Sequence, residues 1–287
     1  MAIDADLQAI QAFAEAGPCA LVTLSKTRGS TPRIQGTQML VSKTSVLGTI
    51  GGGQLEYLAT DAARALLADT EAKQEIAVPL GPEIGQCCGG HVTFTLALLN
   101  DETLADILSA QNAEQAKNPH IYIFGAGHVG RALALAMLPL PFKTLLVDNR
   151  AEELALADSA IAQQHTLLPE ALVREAPAGS AFVVLTHDHA LDFLITREAL
   201  ARTDTAYVGM IGSKTKRAAF HSWLKSESHE EPDLNDLVMP IGKTSLSDKR
   251  PAVIAAMVAA QILEAVSVKG QATPRNRTNN TKRRLSV

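Results

Sequence analysis

Aromatic residues make up only 4% of the 287 residues, too few for an extended surface that stacks nucleobases. Cysteine is nearly as scarce. Cys19, Cys87 and Cys88 are the whole complement, and an odd number with two adjacent excludes a disulfide framework. No apolar run is long enough to span a bilayer, and no basic-then-apolar leader follows Met1. The expectation is a reduced, soluble, cytoplasmic protein with no membrane partner. The small net charge of −4 hides an asymmetry. Residues 271–287 carry Arg275, Arg277, Lys282, Arg283 and Arg284 with no acid, which leaves the remainder at −9. A body that acidic is not expected to bind nucleic acid. From Ser267 onward helical periodicity is lost, and 271–287 reads as a disordered basic tail.

What is present is a 46% hydrophobic chain of a length that fits two domains. The central stretch is His120–Arg131, HIYIFGAGHVGR, in which β-formers run into glycines at the G-x-G-x-x-G spacing and then into an Ala/Leu-rich helix. In such a unit Gly125 makes the tight turn, Gly127 permits close approach to a phosphate, and Gly130 lets helix and strand pack. The helix, read over Arg131–Leu138, favours an anion at its start. A second strand, Lys143–Asp148, ends in an acid where a ribose-binding carboxylate belongs. The spacing predicts a nucleotide-binding Rossmann unit; the alternative is a structural βαβ turn. A short strand is expected near 159–162, a helix near 170–175, and a fourth strand at 181–186 beside the first.

That fourth strand runs into Thr186-His187-Asp188-His189-Ala190-Leu191-Asp192. Three readings are open here: a metal site using both imidazoles, a helix cap made by Asp188 or His187, and ligand binding or proton handling in the crevice. The next strand, 206–212, leads to Ser213 as a helix cap and to Lys214, Lys216 and Arg217. Cations oppose the dipole at a helix start, so an anionic ligand or acidic partner competes with a simple solvated face as their explanation. A final helix is expected over 251–266, with Pro251 in its first turn.

The N-terminal half reads as a helix at 4–16, a strand at 19–25, a hairpin at 38–42 and 45–50, a helix at 55–68, and strands at 74–79 and 91–99. The loop Lys26–Gly36 is either solvated or anion-receiving, with Arg28 and Arg33 as charges and Ser30 and Thr31 as hydroxyl donors. Gly51-Gly52-Gly53 opens a helix after a strand and could cradle an anion or merely form a tight turn. Glu56, in the first turn, either complements the dipole or accepts from a ligand's exocyclic amines. In Gly85-Gln86-Cys87-Cys88-Gly89-Gly90 the adjacent thiols cannot form a zinc knuckle. They suit a soft ligand for a transition metal or a site of sulfur transfer, with a redox thiol or a structural turn as alternatives. The segment 101–118, with one short helix, reads as a linker between an N-terminal α+β domain (1–100) and a Rossmann-like parallel-sheet domain (119–270).

Taken together, Ser30–Arg33, Gly51–Glu56, Gly85–Gly90, Gly125–Arg131, Thr186–Asp192, Gly209–Ser213 and Pro240–Gly242 resemble the XdhC/CoxI family, in this order and over nearly the whole folded chain. The stretch Gly242–Ala252 departs from the family pattern. The resemblance implies a chaperone that binds the molybdenum cofactor (molybdopterin), holds it during sulfuration, and inserts it into xanthine dehydrogenase-type hydroxylases of purine metabolism. It implies the molybdenum-binding subunit of xanthine dehydrogenase and a cysteine desulfurase as partners, and a homodimer. The residues expected at the cofactor are Gly51, Gly52, Gly53, Glu56, Gln86, Cys87, Cys88, Gly125, Gly127, His128, Gly130, Asp148 and Lys214, with Cys87 or Cys88 meeting molybdenum in a cleft between the domains. No nucleophile–base–orienter set is visible, so a carrier is expected rather than an enzyme. The alternatives are an NAD(P)-dependent oxidoreductase with His187 or His189 as acid–base, and a nucleotide-sensing regulator.

Overall fold

A computed structural model of the protein describes residues 3–68, 74–81, 89–228, 233–243 and 248–271. They divide into two units, Met1–Lys117 and Asn118–Val287. In the first, helix α1 (Leu7–Glu15) starts where the Asp6 side chain accepts from the Ala9 amide, a side-chain N-cap. Strands β1 (Cys19–Arg28), β2 (Gln38–Ser42) and β3 (Val46–Gly48) follow, then α2 (Gly53–Ala68), β4 (Glu75–Pro79), β5 (His91–Leu98) and α3 (Asp101–Ala116). The strands form one antiparallel sheet in the order β3-β2-β1-β5-β4.

Residues of opposite parity along β1 enter different cores. Ala20, Val22 and Leu24 join Leu55, Ala59, Ala63 and Leu66 of α2, whereas Leu21 joins Ile10 of α1 and Ile107 of α3. That double cover explains why β1 begins with four buried residues in a row instead of alternating. It also corrects the linker assignment. Asp101–Ala116 is a helix of the first unit, capped by Asn100, and its buried Gln111 donates to the carbonyls of Ile3 and Ala5 at 3.3 and 2.8 Å. Further along, β1 continues through Lys26 and Arg28, so the expected loop is three residues shorter at its start. Its pairing with β5 shifts register between Leu24 and Lys26.

The second unit runs β6 (His120–Phe124), α4 (His128–Met137), β7 (Lys143–Asp148), α5 (Ala151–Leu154), β8 (Ala162–His165), α6 (Pro169–Glu175), β9 (Ala181–Val184), α7 (His189–Ala201), β10 (Tyr207–Met210), α8 (Lys214–Ser228), β11 (Leu237–Val238) and α9 (Pro251–Gln271). All its strands are parallel, in the order β11-β10-β9-β6-β7-β8. The chain enters at β6, builds outward to β8, then returns to lay β9 on the other side of β6, as expected from the sequence. The strand order therefore reverses between β6 and β9, where a doubly wound sheet opens its crevice. One face packs on α4 and α9 through Leu133, Met137, Val258 and Ile262; the other buries Val173, Ile195 and Phe220 of α6, α7 and α8.

Several boundaries differ from expectation: α4 begins at His128, three residues before the expected Arg131, and β9 and β10 end two residues early, at Val184 and Met210. The third strand lies at Ala162–His165 rather than 159–162, because an edge strand reading AQQH carries no apolar alternation. Helix α9 continues to Gln271, and the Ser267 hydroxyl folds back onto the Leu263 carbonyl at 2.7 Å, a helix-compatible bond that lets serine stand there. The expected tail beyond it lies outside the described residues. No helix among the described residues is long and apolar enough to cross a membrane.

Candidate functional site

The glycines of the β6–α4 turn have different physical reasons to be glycine. Gly125 has φ +122°, and a Cβ on it would stand 2.3 Å from the Leu185 carbonyl oxygen, so the turn lies directly against the end of β9. A Cβ on Gly130 would stand 1.8 Å from the Gly125 carbonyl oxygen. Gly127 is different. Its φ of −66° suits any residue, it caps α4 without a side chain, and a Cβ there would meet nothing within 4 Å. Packing does not require a glycine at 127; a residue without a side chain there leaves room for an anion to approach the α4 amides. His128, the next residue, is exposed.

Asp148, at the end of β7, is buried and fully engaged. Its Oδ2 accepts from the Ala126 amide at 2.6 Å and from Arg150 Nη2 at 3.0 Å, and its Oδ1 from the Arg150 amide and Nε at 2.9 and 3.0 Å. Burial pushes the Asp148 carboxyl up, but the bonds from Arg150 and Ala126 outweigh it and hold its pKa below the usual aspartate value. The glycine loop is clamped from its other side as well, since Arg131 donates to the Ala126 carbonyl at 2.5 Å and to Glu153 at 2.7 Å. Asp148 thus shapes the loop, and the four acceptor positions it would offer a ribose are occupied. Arg150 was not singled out from the sequence, although it stands two residues from Asp148.

At the end of β9 the motif Thr186–Asp192 is mostly internal scaffolding. Asp188 caps α7 by accepting from the Ala190 amide at 2.8 Å, which is the capping alternative raised by the sequence. Asp192 is completely buried; its Oδ1 accepts from the Thr186 amide and hydroxyl at 2.9 and 2.7 Å, and its Oδ2 from the ammonium of Lys216. Lys216 Nζ also donates to the Ile211 carbonyl at 3.2 Å, so the pair ties the loop after β9 to the loop after β10. Arg217 donates to the carbonyls of Leu234, Leu237 and Met239. Of the three cations at the start of α8, Lys216 and Arg217 are therefore structural, and Lys214 alone is exposed. His187 and His189 are exposed and make no hydrogen bond among the described residues, and no group of three or more His, Cys, Asp or Glu there could hold a metal ion.

In the first unit the triple glycine run closes on itself. Gly51, Gly52 and Gly53 all have positive φ (133°, 73° and 60°), a conformation that side chains strain. Glu56 Oε2 accepts from the Thr49 hydroxyl at 2.6 Å, the Gly52 amide at 3.0 Å and the Ile50 amide at 3.3 Å. Of the amides expected to receive an anion, that of Gly52 is held by a carboxylate four residues on and that of Gly51 by the Thr49 hydroxyl at 3.1 Å. Glu56 is accordingly an organiser of the turn, and its Oε2 is not offered to a ligand amine. Glu56→Ala should cost about 1–3 kcal/mol in urea denaturation, the penalty for leaving such donors unpaired. An unchanged midpoint would show that the turn holds without it.

The neighbouring loop is gathered onto the same place. A Cβ on Gly51 would stand 2.5 Å from Pro32 Cγ, and one on Gly90 would stand 2.2 Å from the Ser30 carbonyl oxygen and 2.7 Å from that of Arg28. Ser30 and Gly89 form a parallel bridge. Of the loop's expected anion-receiving groups, Arg33 is paired with Asp4 at 3.0 Å and Thr31 donates to the Arg33 carbonyl at 2.9 Å, while Arg28 is exposed at the end of β1. Three motifs far apart in sequence therefore meet around Ser30–Pro32. Gln86, Cys87 and Cys88 lie outside the described residues; Gly89, which follows them directly, belongs to this meeting point.

Fold and site define a two-unit α/β protein with a Rossmann-like sheet and a separate antiparallel sheet covered by helices. Residues 12–77 match the family model described as the XdhC and CoxI family, and residues 121–262 match that of the XdhC Rossmann domain. The chain belongs to the XdhC and CoxI family. It is 24% identical over 259 residues to the uncharacterized protein YqeB of Escherichia coli K12, covering 86% of this chain and 43% of that protein, so it spans less than half of that relative's length. A crystal structure of a protein from Bacillus halodurans, described as a xanthine dehydrogenase, superposes with a TM-score of 0.74 at 16% identity, covering 96% of this chain and 98% of the other. At that identity the likeness shows the fold.

Proposed function

We propose that this protein has a xanthine dehydrogenase-related role as a carrier: it binds a molybdenum–pterin cofactor as cargo, protects it during sulfuration and delivers it to a hydroxylase. The observation that carries this reading is the convergence in the first unit. Gly51 on Pro32, and Gly90 on Ser30 and Arg28, bring the turn, the Ser30–Arg33 loop and the segment following Cys87-Cys88 to one place. Glycines required by close backbone contact, one of them two residues after a vicinal thiol pair in sequence, suit the handling of a soft metal centre. Family membership and the likeness to the Bacillus halodurans protein, described as a xanthine dehydrogenase, support the same hydroxylase class. In the second unit Gly127 leaves an open helix start where an anion can reach amides.

When loaded, the cofactor supplies the metal at which an oxo ligand is exchanged for sulfur; the protein's own residues bind and shield it. Cys87 or Cys88 would provide thiolate. The partners that follow are the molybdenum-binding subunit of a xanthine dehydrogenase-type enzyme and a cysteine desulfurase. The competing ligand for the Gly125–Gly130 turn is a nicotinamide dinucleotide. It is the weaker candidate because the Asp148 acceptors that would meet its ribose are held by Arg150 and Ala126, and His187 and His189 have no described group to orient them.

The test is metal analysis and mass spectrometry of the protein purified from a molybdenum-replete host. Wild type should carry molybdenum and a pterin, and Cys87→Ala with Cys88→Ala should lower the metal content about tenfold or more without unfolding the chain. Equal molybdenum in both proteins, or a nicotinamide in place of the pterin, would reject the carrier.

A further inference from the structure

The first unit is acidic, with seven Lys and Arg against thirteen Asp and Glu in residues 1–117, yet two of those cations stand together on one face of one strand. They do so because of the irregularity in β1. Leu24 pairs with Phe94 and both face the core, whereas Lys26 pairs with Thr93 and Arg28 with His91. Unbroken alternation from Leu24 would turn Lys26 and Arg28 inward as well. The extra residue, Ser25, shifts the phase, and its hydroxyl donates to the Thr93 carbonyl at 3.1 Å, which pins the bulge. Bulges that re-aim side chains in this way are enriched beside functional sites.

The outer face so formed carries Lys26, Arg28, His91 and Thr93, with Ala77 of β4 opposite Thr93. The small side chain of Ala77 leaves a depression of about 320 Å³ lined by these residues. Its charge is not cancelled locally. Lys26 lies 3.6 Å from Glu75 with both side chains more than half exposed, a weak pair, and Arg28 makes no ion pair among the described residues. A guanidinium directly across from an imidazole is flanked by a hydroxyl and by an ammonium whose one described carboxylate partner is Glu75 at 3.6 Å. The site also adjoins the convergence described above, since Gly90 packs on the Arg28 carbonyl and His91 follows Gly90.

We propose that this outer face of β1, β5 and β4 binds the phosphate or pyrophosphate group of a small phosphorylated ligand, with Arg28 and His91 as the principal donors. The site is argued from its own geometry; that the phosphate belongs to the cargo rests on the proposed function.

Titration of the full chain with inorganic pyrophosphate, followed by the imidazole NMR signals, tests it. His91, assigned by the signal missing in His91→Gln, should shift and saturate. Arg28→Gln should raise the dissociation constant about tenfold or more, while Lys43→Gln, an exposed lysine outside this face, should leave it unchanged. A non-saturating His91 signal, or equal affinity in Arg28→Gln, would overturn the proposal, as would loss of the His91 response in Gly127→Val. The probe contains no molybdenum, so the two readings fail separately. A saturating His91 response in a protein that carries no molybdenum upholds this site and rejects the carrier. A molybdenum-loaded protein whose His91 ignores pyrophosphate does the reverse.

Discussion

Gly130→Ala is expected to destabilise the protein by about 3 kcal/mol or more, although the same substitution inside a helix ordinarily stabilises it by about 0.5–1 kcal/mol. The sign reverses because of one distance. The added Cβ would fall 1.8 Å from the Gly125 carbonyl oxygen and 2.9 Å from Leu185 Cδ1. A backbone oxygen cannot rotate away as a side chain can, and Gly125 is itself held against Leu185. Relief would require moving α4 off β6, which opens the core around Leu133 and Met137. Gly127→Ala in the same turn supplies the comparison: its φ is ordinary and its Cβ has open space, so its urea midpoint should stay within experimental error of wild type. The two midpoints, measured side by side with equal slopes, check the assignment. Equal stability of both variants would refute the claim that Gly130 serves packing and Gly127 serves approach.

The second large effect is expected at Lys216. Lys216→Met should cost about 3–5 kcal/mol, because it strands the carboxylate of Asp192, whose side chain is 0% exposed. Much of that loss belongs to the uncompensated charge rather than to the attraction removed. Adding Asp192→Asn should therefore recover most of it, since the amide oxygen can still accept from the Thr186 amide and hydroxyl where Oδ1 does now. Asp192→Asn alone should be costly too, leaving an ammonium that is 10% exposed with only the Ile211 carbonyl as a described partner. The double-mutant cycle built from these variants should show strong coupling. Strict additivity would mean that the two groups are solvated independently and that the loops after β9 and β10 are not tied by them.

The parts of this structure that were legible in the sequence are those written in spacing. The glycine fingerprint, the switch between β6 and β9 and the antiparallel strands followed from residue periodicity and from turn residues. What escaped was written in partners. Asp148 has the position of a ribose ligand, and only the bonds from Arg150 and Ala126 reveal it as a clamp on the loop. Glu56 looked outward from a first turn, but a helix brings residue i+4 back over residue i, and its carboxylate reaches the Gly52 amide. Among Lys214, Lys216 and Arg217 composition alone could not tell the exposed cation from the two that hold the fold. Helix α3 was read as a linker because its Ala-rich, polar sequence shows no apolar stripe, although Leu104, Ile107 and Leu108 suffice to dock it.

The extra residue in β1 has an evolutionary consequence. Along a strand the two faces are distinguished only by odd and even, and the bulge absorbs one residue of that count, so Lys26 and Arg28 stand opposite Thr93 and His91 although Leu24, two residues before Lys26, faces the core. Loss of that one residue would restore regular alternation and leave Lys26 opposite Thr93, so a strand one residue shorter keeps its two cations on the same face.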